Sequence, residues 1–276
     1  MPRGRRFFPA TLPGYAPAAA FRPAARIRSS DDGYGKRSRK RIAILTTQTP
    51  HHARYVQAVG DAHDVAGVLL ETTAAAAPFD TAHAFEQDRD AFERDTWFAG
   101  KEPAIEEMAP TRSFPSLNHP DAAQALADMR ADVAVVFGTG KLAGPILDVL
   151  PGRLLNLHGG DPQDYRGLDT HLWAVYHGDF SALVSCLHFV EPDLDTGALL
   201  EIKSIPLRKG MNLHELRHAN TETCIAITHT ALRGFTKGNM LRVTPQQRRG
   251  RYYSFMPVVL KDLCVTKFRR HTESLP

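Results

Sequence analysis

The stretch from residue 153 to residue 200 opens with R-L-L-N-L-H-G-G-D-P-Q-D-Y-R-G-L-D-T-H-L-W-A-V-Y-H-G-D and closes with L-H-F-V-E-P-D-L-D-T-G-A-L-L. Side chains of a strand repeat every two residues, so Asn156 and His158 project from one face, about 7 Å apart along the backbone. Asn156 can donate an amide N–H to an oxygen that gains negative charge, and His158 can exchange a proton near neutral pH. We therefore expect both side chains to serve one reacting group.

A third chemical group, Asp195, lies in the turn-like run D-L-D-T-G, which follows the apolar residues 182–190. A loop at this point can return the Asp195 carboxylate to the imidazole of His158. A carboxylate there would orient the ring and favour the imidazolium form. An amide donor, an imidazole and a carboxylate together suit acyl transfer without a metal and without a covalent enzyme intermediate.

The order N-x-H, then Y-R-G, then a small-residue helix ending in G-D, then L-D-T-G resembles that of the folate-dependent formyltransferases. The resemblance covers roughly residues 41–236. It implies a doubly wound, mainly parallel α/β sheet and 10-formyltetrahydrofolate as the formyl donor. It also assigns residues to roles: the catalytic residues are Asn156, His158 and Asp195, and the cofactor-binding residues are Gly140, Lys141, Leu142 and Asp193.

The chain departs from this family directly after the catalytic pair. Most members read N-x-H-P-S-L-L-P, whereas this chain continues from His158 with Gly159, Gly160 and Asp161. Two glycines make the backbone more permissive than Pro-Ser does, and Asp161 adds a negative charge beside the site. The departure therefore concerns the choice of acceptor substrate.

The hydrophobic pattern predicts one main α/β domain with short appendages. Apolar runs predict buried strands, and periodic runs bounded by Pro or Gly predict helices. The predicted strands cover residues 41–46, 65–70, 132–137, 184–190 and 199–207. The predicted helices begin near Pro50, and at residues 121 and 168, with a charged surface helix near 85–98. The predicted divisions are residues 1–40, a disordered basic extension, residues 41–240, the catalytic domain, and residues 241–276, a short C-terminal extension.

Charge is distributed unevenly along the 276 residues, whose net charge is +4. Residues 1–41 carry +9, residues 245–276 carry +5, and the middle carries −10. The basic N-terminal segment has few aliphatic side chains and is predicted not to fold. A nucleic-acid arm, a transit peptide and a plain extension all remain open for it.

The three cysteines form no C-x-x-C pair and no apolar run spans a bilayer, so we expect a cytoplasmic protein.

The acceptor is predicted to be a small-molecule amine, with a nucleotide-linked amino sugar favoured. Residues 46–50 contain no glycine, unlike the phosphate-binding loop of glycinamide ribonucleotide formyltransferases. Only 40 residues follow residue 236, fewer than the tRNA-gripping barrel of methionyl-tRNA formyltransferases, so tRNA is disfavoured. The aromatic residues of R-Y-Y-S-F are predicted to pack on the core, with substrate contact as the alternative. A homodimer remains open.

Three other functions stay open at the level of sequence. The same catalytic residues suit a 10-formyltetrahydrofolate hydrolase. Residues 214–218 read H-E-L-R-H, the H-E-x-x-H pattern of zinc peptidases, but we find no third ligand and expect an ordinary surface helix. The basic chain ends also suit an RNA-binding protein. The run G-T-G-K-L at 138–142 lacks the spacing of a nucleotide P-loop.

Overall fold

The structure is a computed structural model that describes residues 40–236 and 243–276. The predicted disordered extension, except Lys40, lies outside the described residues. Within them the strands and helices, in chain order, are β1 Arg41–Thr46, α1 Pro50–Ala62, β2 Asp64–Glu71, α2 Ala84–Phe98, β3 Thr111–Phe114, α3 Pro120–Asp128, β4 Val133–Phe137, α4 Ile146–Val149, β5 Leu154–Gly159, β6 Tyr165–Gly167, α5 Thr170–His177, β7 Val184–Phe189, β8 Leu199–Ser204, α6 Leu216–Thr236, β9 Arg251–Tyr253 and α7 Val258–Glu273.

Seven strands form the main sheet in the order β3-β2-β1-β4-β5-β7-β8. The first five of these are parallel, β7 runs antiparallel to β5, and β8 runs antiparallel to β7. The predicted doubly wound, mainly parallel α/β sheet is confirmed. From β1 the chain adds strands first toward one edge of the sheet, as β2 and β3, and then toward the other edge, as β4 and β5. Ligands of open α/β sheets bind outside the carboxyl ends of the strands at the point where this order reverses, here between β1 and β4.

Alternate side chains of the buried strands fill two hydrophobic layers, one on each face of the sheet. On β1, Ile42 and Ile44 pack with α1 and α6, whereas Ala43 and Leu45 pack with α3 and α4. Both layers are inaccessible to solvent, which explains why these strands read as continuous apolar runs in the sequence.

Helix α6, which begins within H-E-L-R-H, is part of the core, so the prediction of a surface helix there is wrong. One side of α6 packs against α1, β7 and β8 and buries Cys224, Ile227 and Leu232. Thr221 and Thr223 of α6 are buried as well, and their hydroxyl groups donate to the carbonyls four residues earlier, as Thr221 does to Arg217 at 2.8 Å. Because the buried face of α6 carries hydrogen-bonded hydroxyl groups among its apolar side chains, the sequence shows no clear amphipathic pattern there.

The C-terminal residues 243–276 pack on the same unit as the sheet. Strand β9 pairs in parallel with β6 in a separate two-stranded sheet, and α7 packs against α5. A third hydrophobic cluster lies between these elements, and Met256, Cys264 and Phe268 are fully buried in it. No helix within the described ranges combines the length and apolarity needed to cross a membrane.

Candidate active site

A cleft of about 840 Å³ opens at the carboxyl ends of the parallel strands. Residues that follow β1, β2 and β4 line it, together with side chains of β5 and β7. The cleft therefore lies at the reversal point between β1 and β4, where this class of sheet binds ligands. Its volume falls in the range of small-molecule sites, roughly 300–1,000 Å³.

Asn156 and His158 both lie on β5 and line the cleft, as their spacing predicts. Asn156 pairs across the antiparallel ladder with His188 of β7. Its Nδ2 donates to His188 Nε2 at 3.1 Å, and His188 Nδ1 donates to the carbonyl of Phe189 at 2.7 Å. His188 thus lies between the Asn156 amide and the Phe189 carbonyl, and it orients the Asn156 amide.

The His158 imidazole is held between two oxygen atoms. Its Nε2 donates to the carbonyl of Tyr165 at 2.7 Å, and its Nδ1 lies 3.8 Å from Oδ1 of Asp195. Burial lowers the pKa of His158, while the Asp195 charge acts in the opposite direction. Because Nε2 already carries a proton, a further proton enters at Nδ1, facing the carboxylate.

The structure brings Asp195 to both histidines, although it is 37 residues beyond His158. Its Oδ1 lies 3.7 Å from His188 Nε2, and its Oδ2 accepts from the Gly167 amide at 3.0 Å. Asp195 is 6% exposed. Burial acts to raise the pKa of Asp195, but His188, His158 and the Gly167 amide outweigh it and hold the pKa at about 2. The carboxylate is therefore charged at neutral pH.

The loop before Asp195 is held from the side of β6. The guanidinium group of Arg166 donates to the carbonyl of Leu194, and Arg166 is itself buried. The adjacent residue Gly167 is the one that donates to Asp195. The Y-R-G run of the sequence thus supplies two anchors for the aspartate loop.

The glycines that replace the family's Pro-Ser have steric reasons in this structure. A Cβ on Gly159 would lie 2.8 Å from Cε1 of His171, whose Nε2 donates to Val184 O at 2.8 Å. Gly160 has φ +101°, a conformation that side chains disfavour. Asp161 does not enter the catalytic group, since its Oδ1 accepts from the Gln163 amide at 2.8 Å. The loop is therefore shaped around His171.

The predicted folate-binding loop borders the cleft. Gly140, Lys141 and Leu142 all line it, and the Gly140 amide donates to Oε2 of the buried Glu71 at 2.6 Å. Asn118 braces the same loop by donating from Nδ2 to the Lys141 carbonyl at 2.9 Å. Leu142 is buried, whereas the Lys141 side chain is exposed.

The structure does not bring Asp193 to the cleft with the other predicted residues. Its side chain is 69% exposed, and Oδ2 lies 3.7 Å from Nη2 of Arg249. The neighbouring residues Glu191, Leu194 and Asp195 line the cleft instead.

The remaining wall of the cleft combines imidazole, guanidinium and aromatic groups. Its members include His51, His52, Arg89, Tyr252 and Phe255. Burial lowers the pKa of His52 to about 3, so this wall holds a neutral imidazole. The Tyr252 ring is 55% exposed. Tyr252 and Phe255 thus border the cleft, in line with the alternative of substrate contact and not with the predicted packing on the core. Tyr253 instead stacks on Tyr165, as core packing predicts.

The H-E-L-R-H run has a structural use. Glu215 accepts from the Asn212 amide at 2.7 Å and from Arg208, forming a capping box at the start of the helical segment. His214 and His218 both lie against the ring of Phe92. The described part of the chain contains no set of three or more His, Cys, Asp or Glu side chains that could hold a metal ion.

Sequence reasoning missed His188 and Glu71. The only sequence signal for His188 is its place in an apolar strand, and its pairing with Asn156 depends on the register of two strands 32 residues apart. Glu71 ends a buried strand, which places it at the ligand edge of the sheet, but its contact with Gly140 spans 69 residues. A polar residue that ends a buried strand is thus the usable signal.

Residues 36–224 match the family described as formyl transferase. Methionyl-tRNA formyltransferase of Methylobacterium sp. (strain 4-46) is 32% identical over 140 residues, 50% of this chain and 44% of that protein. The chain thus spans less than half the length of the curated relatives it matches. Glycinamide ribonucleotide transformylase 1 from Symbiobacterium toebii has a TM-score of 0.53 at 20% identity, covering 79% of this chain and 100% of that one.

HypX from Aquifex aeolicus in complex with tetrahydrofolic acid has a TM-score of 0.54 at 17% identity, covering 87% of this chain and 35% of that chain. At these identities the two solved structures establish the likeness of the fold. The family match extends over more than half of the sequence and contains the segment from Asn156 to Asp195. The resemblance inferred from N-x-H and L-D-T-G is confirmed: this chain belongs to the formyl transferase family.

Proposed function

We propose that this chain transfers a formyl group from 10-formyltetrahydrofolate to a primary amine of a small molecule. The observation that carries the proposal is the convergence of an amide, an imidazole and a charged carboxylate on one cleft, in the side chains Asn156, His158 and Asp195. Each of these groups has a hydrogen-bond partner or a neighbouring charge that sets its orientation. The family membership supports the same reaction class.

The cleft wall fits a folate donor through backbone groups. Gly140, Lys141 and Leu142 line the cleft, and Glu71 and Asn118 hold this loop in place by hydrogen bonds to its main chain. A reduced pterin has N–H and C=O edges that such main-chain groups can recognise. When bound, the donor supplies a formyl group on a nitrogen that can leave.

We assign distinct roles to the three side chains. Asn156 uses one N–H on His188, which leaves its second N–H for the oxygen that gains charge during attack. His158 adds positive charge when Nδ1 is protonated, and Asp195 stabilises that form. In the balanced reaction, the amine nitrogen bonds to the formyl carbon, the bond from that carbon to the donor nitrogen breaks, and the amine proton ends on the donor nitrogen.

We further propose a nucleotide-linked amino sugar as the acceptor. The exposed ring of Tyr252 at the cleft offers a flat surface on which a base can stack. Arg89 also lines the cleft, where it pairs with Asp90 at 3.1 Å and supplies a cationic group for phosphate oxygens. The three free cysteines, all buried, agree with the proposed reducing, cytoplasmic location.

The test is an acceptor screen with 10-formyltetrahydrofolate, followed by folate absorbance and product mass. Separate reactions contain nucleotide-linked amino sugars, glycinamide ribonucleotide, methionyl-tRNA or no acceptor. We expect formylation of at least one amino sugar with kcat/KM of about 10⁴ M⁻¹s⁻¹ or above. Turnover of tRNA or ribonucleotide alone would overturn the acceptor assignment. Release of formate at the same rate with no acceptor would establish a hydrolase instead.

A further inference from the structure

We propose that Gln246 is a positioning residue that holds the Asp195 loop against His158 and His188. The proposal rests on the function proposed above, because it takes Asp195 to be part of the reacting group. Gln246 lies outside the segment of the family match, which ends at residue 224. Its single side-chain amide donates two hydrogen bonds, to the carbonyls of Asp195 at 3.0 Å and of Gly197 at 2.8 Å.

These two bonds act on a strained part of the loop. Asp195 has φ +53°, a left-handed conformation that is uncommon for residues other than glycine. Gly197 packs so closely on β7 that a Cβ there would overlap the carbonyl of Phe189. Gly197 is therefore a fixed point, and the Gln246 amide ties the strained residue to it. Both N–H groups of the Gln246 amide are used, so the positions of the Asp195 and Gly197 carbonyls are both fixed by this side chain.

The segment that carries Gln246 is itself anchored at several points. On one side of it, Thr244 and Leu199 exchange backbone hydrogen bonds of 2.8 and 2.9 Å. On the other side, Arg248 forms an ion pair with Asp164, and the Gly250 amide donates to Pro162 at 3.2 Å. Residues 244–250 thus form a strap, bound to the sheet edge and to the loop that follows Gly160. Gln246 is the point at which the strap holds the aspartate loop.

Displacement of Asp195 has a defined chemical consequence. The other titratable or charged groups that face His158 are His188 of β7, Arg166 of β6 and His171 of α5. None of them is changed by a substitution at Gln246. Asp195 raises the pKa of His158, so moving the carboxylate away lowers that pKa. Because the imidazolium is the active form in the proposed mechanism, the alkaline limb of the rate profile then moves to lower pH.

The test compares Gln246→Met, which keeps bulk and removes both donors, with Gln247→Met. Among the described residues the Gln247 side-chain amide donates to Pro245 O and not to the Asp195 loop, so it serves as a matched control. The His158 pKa is measured by NMR of ¹³C-histidine-labelled protein, with His158→Gln used for assignment. We expect Gln246→Met to lower this pKa by about 0.5 units or more and to reduce kcat by about tenfold with little change in KM. We expect Gln247→Met to change neither.

The NMR measurement needs no substrate, so it separates this proposal from the proposed function. If Gln246→Met lowers the His158 pKa but the wild-type protein formylates no amine, the proposed function is wrong and the positioning role of Gln246 is retained. An unchanged pKa in folded Gln246→Met protein would overturn the positioning role. Gln246→Ala is the second variant and is read in the same way. Unfolding of both variants would also overturn the proposal, since Gln246 would then be required for folding.

Discussion

Asn156 has two amide N–H bonds and gives one of them to His188. The second is the only side-chain amide donor that the catalytic strand β5 offers to the cleft. Replacing Asn156 by Ala should therefore lower kcat by roughly 10²-fold or more, because one donor to a developing oxyanion is typically worth that much. Steady-state kinetics with formyl-folate and the acceptor found in the screen measure this loss. Gln124→Ala, on the exposed side of α3, should leave the rate unchanged. A near-normal rate for Asn156→Ala would remove its assigned role.

Gly159 is a second residue whose identity the structure explains by one neighbour, the His171 ring. The substitution Gly159→Ala places a methyl group 2.8 Å from that ring, which its bond to Val184 holds in place. We expect a loss of about 1–3 kcal/mol in the free energy of unfolding, the usual cost of overpacking. Urea unfolding measures it, with Gly60→Ala as control, because nothing lies within 4 Å of a Cβ at Gly60.

Adding His171→Ala to Gly159→Ala tests the stated cause. Removal of the ring takes away the clash, so the cost of Gly159→Ala should be smaller in the His171→Ala background than in the wild type. Equal costs in the two backgrounds would show that something other than His171 excludes a side chain at residue 159.

At the scale of elements, the short helical turn before α6 begins with a cap. Glu215 accepts from the Asn212 amide and from the Arg208 guanidinium, and it is buried. Replacing Glu215 by Ala should lower the free energy of unfolding by about 1–2 kcal/mol, the usual range for a lost cap, without a change in KM. Thermal unfolding with parallel kinetics measures both quantities.

His218→Ala is the companion to that experiment, because His218 belongs to the same H-E-L-R-H run but not to the cap. It stacks on Trp97 at 4.7 Å between ring centroids. We expect the His218→Ala variant to retain activity, and we expect the same of wild-type protein treated with a chelator. Stoichiometric zinc that is lost together with activity would restore the peptidase alternative.

At the scale of the whole molecule, histidines that are buried or half-buried contribute to a loss of stability in acid. Burial lowers the pKa of His52 to about 3 and that of His171 to about 4, and it lowers the pKa of His51 and His158 as well. The unfolded chain takes up protons on these side chains near pH 6.5, whereas the folded chain does not. The unfolded state therefore binds more protons, and stability falls as pH falls below 6.5.

We expect the free energy of unfolding to fall between pH 7.5 and pH 5, with His52 alone contributing about 2 kcal/mol to the loss. Urea unfolding at several pH values measures the slope. The Asp195 carboxylate works in a lower window, since its pKa of about 2 means that its contribution is lost only as pH falls from about 4 through 2. The variant His52→Asn should have a shallower slope between pH 5 and 7.5. An unchanged slope would show that His52 does not remain neutral in the folded state.

Local patterns in the sequence determined the sheet class and most of its strands, though not the edge strand β3, as well as the same-face pairing of Asn156 with His158 and the family. These features depend on the period of a strand and on short motifs, both of which are readable within a few residues. Only the tertiary structure decided that His188 orients Asn156, that Glu71 holds the Gly140 loop and that Gln246 reaches Asp195. Each of these contacts joins residues 32 to 69 positions apart. Such contacts depend on strand register and loop closure, and no local pattern records them because the free energy that selects them comes from the packing of the whole fold.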